Sequence, residues 1–270
     1  MKKLFSNKNF SIGFAIIFIF CILGIFANYI APHDPSAVLV GPRLSTPSSS
    51  FLLGTDEFGR DILSRLIFGA RTTLMIILPG VFIACILGVL LGLISGFYSK
   101  FLSTLIMRFV DGLMSFPAIL LAIVVISVLE RGPLTLVIIF GVTFIPGFTR
   151  VVRGRVLEIK DSEFVKASII SGANNRYLIS RIIIPNCLSV IFIGIAVVTA
   201  AVILAEAGLS FLGFGVQPPT PSWGLMLKTS TLYLGVTPLY SFAPGICIFL
   251  MVFGFSLLGD GIREVTSPKL

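Results

Sequence analysis

Residues Leu74 to Ser99 read LMIILPGVFIACILGVLLGLISGFYS, 26 consecutive positions without a charged side chain. A run of about 20 apolar residues covers roughly 30 Å of hydrocarbon at 1.5 Å per residue, so this stretch predicts a membrane-spanning helix. Five more runs surround it. Phe10 to Ala31 ends at Pro32, and it is too long for the apolar core of a signal peptide and has no small-residue cleavage site after it. Gly112 to Leu129 and Pro133 to Thr149 follow, joined by the turn Glu130-Arg131-Gly132. The fifth lies within Ile182 to Ala205, beginning after Pro185, and the sixth within Thr229 to Gly259, centred on Phe242 to Leu258. The expected fold class is an all-α membrane protein with six transmembrane helices. Pro79, Pro117, Pro146 and Pro244 fall in or near these runs, where membrane helices tolerate them if neighbours satisfy the freed carbonyls.

Composition agrees with that reading. Hydrophobic residues make up 56% of the 270 and charged residues 12%, against about 25% charged in soluble domains. The net charge is +8. With the N-terminus inside, the inner segments carry fourteen basic residues and six acidic ones, and the outer segments six of each. The whole excess therefore faces the cytoplasm, which predicts both termini there. No basic soluble module remains for nucleic acid. Cys21, Cys85, Cys187 and Cys247 have no paired spacing, and His33 is the only histidine, so no metal site is expected. There is no G-x-x-x-x-G-K-[ST] phosphate loop and no recognisable catalytic constellation.

The longest inner polar stretch, residues 150–186, reads as two short helices. Asp161 or Ser162 can cap the first, with Glu163 in its first turn where the helix dipole favours a carboxylate. Phe164, Ala167 and Ile170/Ser171 recur at helical spacing and predict one packed face. Gly172-Ala173-Asn174-Asn175 ends that helix and caps the next, Arg176 to Ile184, before Pro185 marks re-entry to the membrane. On spacing alone, an amphipathic loop on anionic lipid fits equally well.

Lys166-Ala167-Ser168-x3-Gly172, then nine residues and Ile182-Ile183-Ile184-Pro185, resembles the E-A-A-x3-G-x9-I-x-L-P loop of ABC-importer permeases. Lys166 stands where that pattern has glutamate, Ser168 where it has alanine and Ile184 where it has leucine. Leu53-Gly54-Thr55-Asp56-Glu57-Phe58-Gly59-Arg60-Asp61-Ile62-Leu63-Ser64-Arg65, with Gly69-Ala70-Arg71, is similar to the segment before the second span of dipeptide, oligopeptide and nickel permeases. So are Leu209-Ser210-Phe211-Leu212-Gly213, Gln217 to Gly224, Pro244-Gly245 and Leu257 to Arg263. These motifs run in the family's order from about residue 30 to the end. The chain looks like the "C"-type subunit of such importers.

The resemblance implies a type I ABC-importer permease fold with a cytoplasmic coupling helix. It implies an ATPase-docking loop carried by Glu163, Lys166, Ala167, Ser168, Gly172, Ala173, Arg176 and Pro185. It also implies a homologous second permease, two ATP-binding subunits that use ATP and Mg, and an extracytoplasmic solute-binding protein, with peptides or nickel and other metal chelates as cargo. The chain itself is expected to bind no cofactor and to be no enzyme. The division expected is 1–31 (N-terminus and first span), 32–73 (extracytoplasmic loop) and 74–270 (five-helix core). The alternative is a secondary transporter or channel driven by an ion gradient, which calls for mid-span ionisable groups and inverted repeats.

Glu206 and Asp111 are the candidates for a substrate path or gate, as the carboxylates nearest membrane interiors. Ala207 to Leu227, uncharged but broken by glycines and prolines, reads as a re-entrant or surface element near the outer gate. Asp56, Arg60, Asp61 and Arg65 have helical spacing and predict a self-satisfied external helix with an Asp61–Arg65 pair. Contact between Asp56, Arg60 or Asp61 and the binding protein is the alternative. Trp223, the only tryptophan, reads as an interfacial anchor or a second binding-protein contact.

Overall fold

A computed structural model describes residues 2–130 and 132–266. Arg131 and Lys269, both counted in the charge reading, lie outside them. Among the described residues the fold is helical, with one isolated bridge between Thr55 and Asp61. The main helices are α1 (Lys8–Ile25), α2 (Ile62–Phe97), α3 (Lys100–Met114), α4 (Ala118–Val128), α5 (Pro133–Thr143), α6 (Ile145–Lys160), α7 (Glu163–Ile170), α8 (Ile184–Leu212), α9 (Trp223–Ser230) and α10 (Pro238–Thr266). Five helical stretches are long and apolar enough to cross a membrane: α1, α2, α5 with α6, the stretch Asn175–Leu212, and α10. The pair α3 and α4 makes a sixth only as a span bent by 83°.

The bend corrects the third expected span. Gly112 to Leu129 is not one helix, because α3 stops at Met114 and α4 starts only after Pro117. A proline disfavours helical geometry in the residue before it and has no N–H to continue the ladder. Pro146 has a milder effect, with Phe144 separating α5 from α6 inside one 28-residue span. The second span is longer than expected, since α2 begins at Ile62. Asp61 caps it by accepting from the Ser64 amide at 3.0 Å, so residues 62–73 are helix rather than loop.

The bundle is stitched by close approach of helix backbones. On α2, Gly80, Ala84, Gly88, Gly92 and Gly96 recur every four residues and form one stripe. A Cβ on Gly88 would meet Phe148 at 2.5 Å, and one on Gly92 or Gly96 would meet Val152 or Val156 at 2.8 Å. Small residues let two helices pack at short range where lipid offers no hydrophobic driving force for association. Helices α1 and α10 cross in the same way, Gly13 lying against the backbone of Gly254 and Leu258. Asn7 and Asn9 each donate to the Glu264 carboxylate, which sets the start of α1 and the end of α10 at one end of the bundle, here the terminal end.

Candidate functional site

The polar stretch 150–186 lies at the terminal end, and its first part, residues 150–160, is not loop but the end of α6. Ser162 precedes α7, but its hydroxyl donates back to Ile159 O at 2.5 Å rather than capping the helix. Glu163 occupies the first turn and forms an exposed 3.7 Å pair with Lys166. At the other end of α7 the chain makes a complete Schellman turn. The Ala173 amide donates to Ser168 O and the Gly172 amide to Ile169 O, both at 3.0 Å. This turn needs Gly172 at φ +86°, a conformation that side chains with a Cβ adopt only with strain, although the space around it is open. Asn174 then caps the next turn by accepting from the Tyr177 amide at 2.8 Å.

The structure departs from the expected loop in two places. The face of α7 that packs on the protein is carried by Val165, fully buried against Val156, Ile159, Leu178 and Ile183. Phe164, Ala167, Ile170 and Ser171, expected to pack, are exposed, because Val165 alone points back at α6 and the turn after Asn174. Nor is there a separate second helix over Arg176 to Ile184. Asn175–Tyr177 runs through a wide π turn, Leu178–Ile183, straight into α8. Pro185 sits in the first turn of α8 and cannot donate to the carbonyl four residues earlier, and a wider turn accommodates that missing bond. The loop therefore presents Phe164, Ile169, Ile170 (87% exposed) and Tyr177 outward. Ala167, Ser168, Gly172 and Ala173 line a shallow concavity of about 430 Å³ beside them. Lys166, Arg176 and Pro185 are also exposed. The apolar contact candidates Ile169 and Tyr177 were not singled out from the sequence, where their period merged with that of the buried face.

At the opposite end the expected external helix does not form. Asp56, Arg60 and Asp61 lie in turns before α2, and all three are buried. Asp56 Oδ1 accepts from the Phe58 and Arg60 amides at 2.9 Å, and Oδ2 from Arg60 Nε at 2.6 Å. Arg65 lies 3.4 Å from Asp56, not on Asp61, and donates from Nη1 to Pro35 O at 2.8 Å. Asp61 is occupied instead in capping α2, with the Ser64 hydroxyl donating to it at 2.6 Å. Glu57 accepts from Tyr240 Oη at 2.8 Å and pairs with Arg60 at 3.3 Å, tying the loop to α10. A buried carboxylate needs this density of donors to offset desolvation, and tight turns supply backbone amides that a helix would have used in its own ladder.

Trp223 is neither an interfacial anchor nor a surface contact. Its indole is fully buried, donates to Leu66 O at 3.0 Å and stands edge-on to Phe20. The ring fills the slot left by Gly69, where a Cβ would lie 2.6 Å from it. Four candidate binding-protein contacts, Asp56, Arg60, Asp61 and Trp223, are thus interior residues. Glu206 is interior as well, accepting from Ser210 Oγ at 2.8 Å and lying 3.4 Å from Ser222 Oγ. It fastens α9 to α8 from inside the chain. The stretch 207–227 ends α8 at Gly213 and leads into α9, which packs on α8 and α10. Asp111 is half exposed at the terminal end and pairs with Arg150 at 2.6 Å.

Residues 88–270 match the family model described as "Binding-protein-dependent transport system inner membrane component". The chain belongs to this permease family. Residues 1–47 of the permease also match the N-terminal TM domain of oligopeptide transport permease C. It is 39% identical over 263 residues to the di/tripeptide transport system permease protein DppC of Pseudomonas aeruginosa, covering 95% of this chain and 86% of that one. It is 38% identical over 255 residues to the glutathione transport system permease protein GsiD of Escherichia coli, covering 94% and 84%. Among solved structures, an inward-facing conformation of the MetNI methionine ABC transporter superposes with a TM-score of 0.66. That likeness covers 76% of the permease and 98% of the solved chain at 18% identity, and it speaks for the fold alone. The permease is a multi-pass protein of the inner membrane, and its loop 150–186 lies wholly inside the matched segment.

Proposed function

We propose that this permease is one of two homologous membrane subunits through which an ATP-driven importer moves short peptides, and that its exposed loop docks on an ATP-binding subunit. The observation that carries the docking reading is the contrast within α7. Val165 anchors the helix to the bundle, while Phe164, Ile169, Ile170 and Tyr177 stand out beside the Gly172 turn, each more than half exposed. An apolar group presented on a fixed turn suits a cleft in a protein partner better than open water. The fourteen-to-six distribution of basic residues supports placing this end, with both termini, in the cytoplasm.

In this reading two ATP-binding subunits hold ATP and Mg, and their closure pushes the loops of the two permeases. Val165 and the continuous run from Asn175 into α8 carry that displacement into the span, so the helices move as a body between inward- and outward-facing states. An extracytoplasmic solute-binding protein delivers cargo at the opposite end. Peptide is favoured as cargo because the named relatives are di/tripeptide and glutathione systems. Nickel and metal chelates are the contrasting ligands. Among the described residues no group of three His, Cys, Asp or Glu side chains is placed to hold a metal ion.

The test compares Gly172→Ala with Gly172→Arg in the assembled importer. Both residues carry the strain of a positive φ, but only arginine adds bulk to the docking face. The expected result is normal insertion of both variants, with substrate-stimulated ATP hydrolysis and peptide uptake lost in Gly172→Arg and largely kept in Gly172→Ala. Unchanged uptake by Gly172→Arg contradicts the docking assignment.

A further inference from the structure

Helix α3 is the most amphipathic element of the permease and does not continue the direction of α4, from which it turns by 83°. One side carries Phe101 (76% exposed), Leu105 and Phe109 at spacings of four residues. The other carries Lys100, Ser103 and Asp111, and these, with Arg108 at the border beside Phe101, form one wall of a cavity of about 500 Å³ at the terminal end. The far wall comes from α2 and α6, and α6 contributes Arg153 and Lys160. Four cations thus line one cavity with a single carboxylate.

That carboxylate does not neutralise them, because Asp111 is held by Arg150. Lys160 is positioned by its own bond to Phe97 O at 2.7 Å, and Arg153 donates to Ser103 Oγ at 3.2 and 3.3 Å. Lys100 and Arg108 make no ion pair among the described residues. An excess of cations around a cavity with hydroxyls at its edge is complementary to a phosphate group. A helix with bulky apolar residues on one face and lysine and arginine on the other lies in the membrane interface, its apolar face among acyl chains. The two faces of α3 match the two parts of one molecule, apolar tails beside Phe101, Leu105 and Phe109 and an anionic headgroup in the cavity.

We infer that the cavity between α3 and α6 binds the phosphate headgroup of an anionic membrane lipid, with Lys100 and Arg108 as the free recognition cations and Arg153 and Lys160 as pre-positioned ones. Such a lipid fills the angle between α3 and the end of α6 and holds α3 against the bundle. Basic pockets of this kind between membrane helices take anionic headgroups, and each lysine or arginine adds to the attraction.

The experiment uses the full chain purified with its partner permease, stripped of lipid, and supplied with phosphatidylglycerol or phosphatidylcholine. Retained lipid is counted by native mass spectrometry and the unfolding midpoint is recorded. The test variant is Lys100→Gln with Arg108→Gln, two exposed side chains whose loss breaks no ion pair. The control is Arg43→Gln, an exposed cation in the 32–61 loop at the opposite end. Wild type and control are expected to retain phosphatidylglycerol over phosphatidylcholine and to gain stability from it. The double variant is expected to bind phosphatidylglycerol roughly 30-fold more weakly and to lose that gain. Equal retention by the double variant overturns the site. Millimolar inorganic phosphate that stabilises as well as the lipid, with no lipid retained, overturns the lipid as occupant. Cross-linking of Phe109→Cys to the second permease, with no lipid retained, assigns the apolar face of α3 to protein and also overturns the proposal.

Discussion

Asp56 and Trp223, at one end of the bundle, are fully enclosed by their own chain, whereas Ile170 at the other end is 87% exposed. Both ends contain segments outside the main spans that are rich in turns. The 32–61 segment closes on itself and on α10 through backbone bonds such as Leu39 to Phe58 O and Leu44 to Asp56 O, and through Glu57 and Tyr240. The 150–186 loop is equally defined in backbone, with a Schellman turn and an asparagine cap, yet only Val165 and its neighbours are covered. Polar groups met mostly within the segment, with Asp61 Oδ1 and Arg65 Nε left without a hydrogen bond, mark a structural segment. A fixed backbone with unsatisfied apolar surface marks a segment built for a partner.

The largest effect is expected from breaking the closed end. Asp56→Ala leaves Arg60 and Arg65 buried without their shared partner, and removing one member of such a group costs about 3–5 kcal/mol. A lower unfolding midpoint and poor recovery of folded permease should follow. Trp223→Ala opens the slot at Gly69 and should cost a similar ~3–5 kcal/mol, while Trp223→Phe keeps most of the ring packing and loses mainly the Leu66 bond, about 1 kcal/mol. Denaturant titration of the two variants in detergent checks this order. If both are as stable as wild type, the enclosure described for the opposite end is wrong.

At the terminal end the same scale should give small numbers. Gly172→Ala places a Cβ at positive φ in open space and should cost about 1 kcal/mol in stability. Lys166→Glu removes an exposed pair with Glu163, worth under ~1 kcal/mol, and should barely move the unfolding midpoint. It restores the residue found at that position in the E-A-A pattern. ATPase affinity that rises on this substitution, measured by titrating the ATP-binding subunit, sharpens the contrast. A large loss of stability from either variant would mean that the loop is a structural segment after all.

How far the sequence was legible follows the same division. The spans were readable because a charge-free run of about 20 residues has few other uses. The loop was readable because Gly172, Asn174 and Pro185 each act locally on the backbone. The direction in which α7 turns was not, since Phe164 and Val165 are adjacent and only the neighbouring helices decide which one is covered. Asp56, Arg60 and Asp61 fit helical spacing, but tight turns bring the same residues together, and buried turns are indistinguishable from exposed helices in a charge pattern. Trp223 depends on Gly69, 154 positions earlier, a contact that no local rule carries. The bend at Pro117 had its signal in the sequence, but membrane helices tolerate many prolines and composition does not single out this one. The four-residue glycine repeat on α2 was visible as well, and its meaning came only with Phe148, Val152 and Val156 facing it.

The central claim is that the surface in front of the Gly172 turn is covered by an ATP-binding subunit. Ile170→Cys and Phe58→Cys, introduced separately in a permease without its own four cysteines, place one exposed thiol at each end of the molecule. In the assembled importer a short cross-linker should join residue 170 to the ATP-binding subunit in high yield, and residue 58 should not be joined to it. A thiol at 170 that stays open to water-soluble maleimide in the assembled complex, with no cross-link formed, would contradict the account.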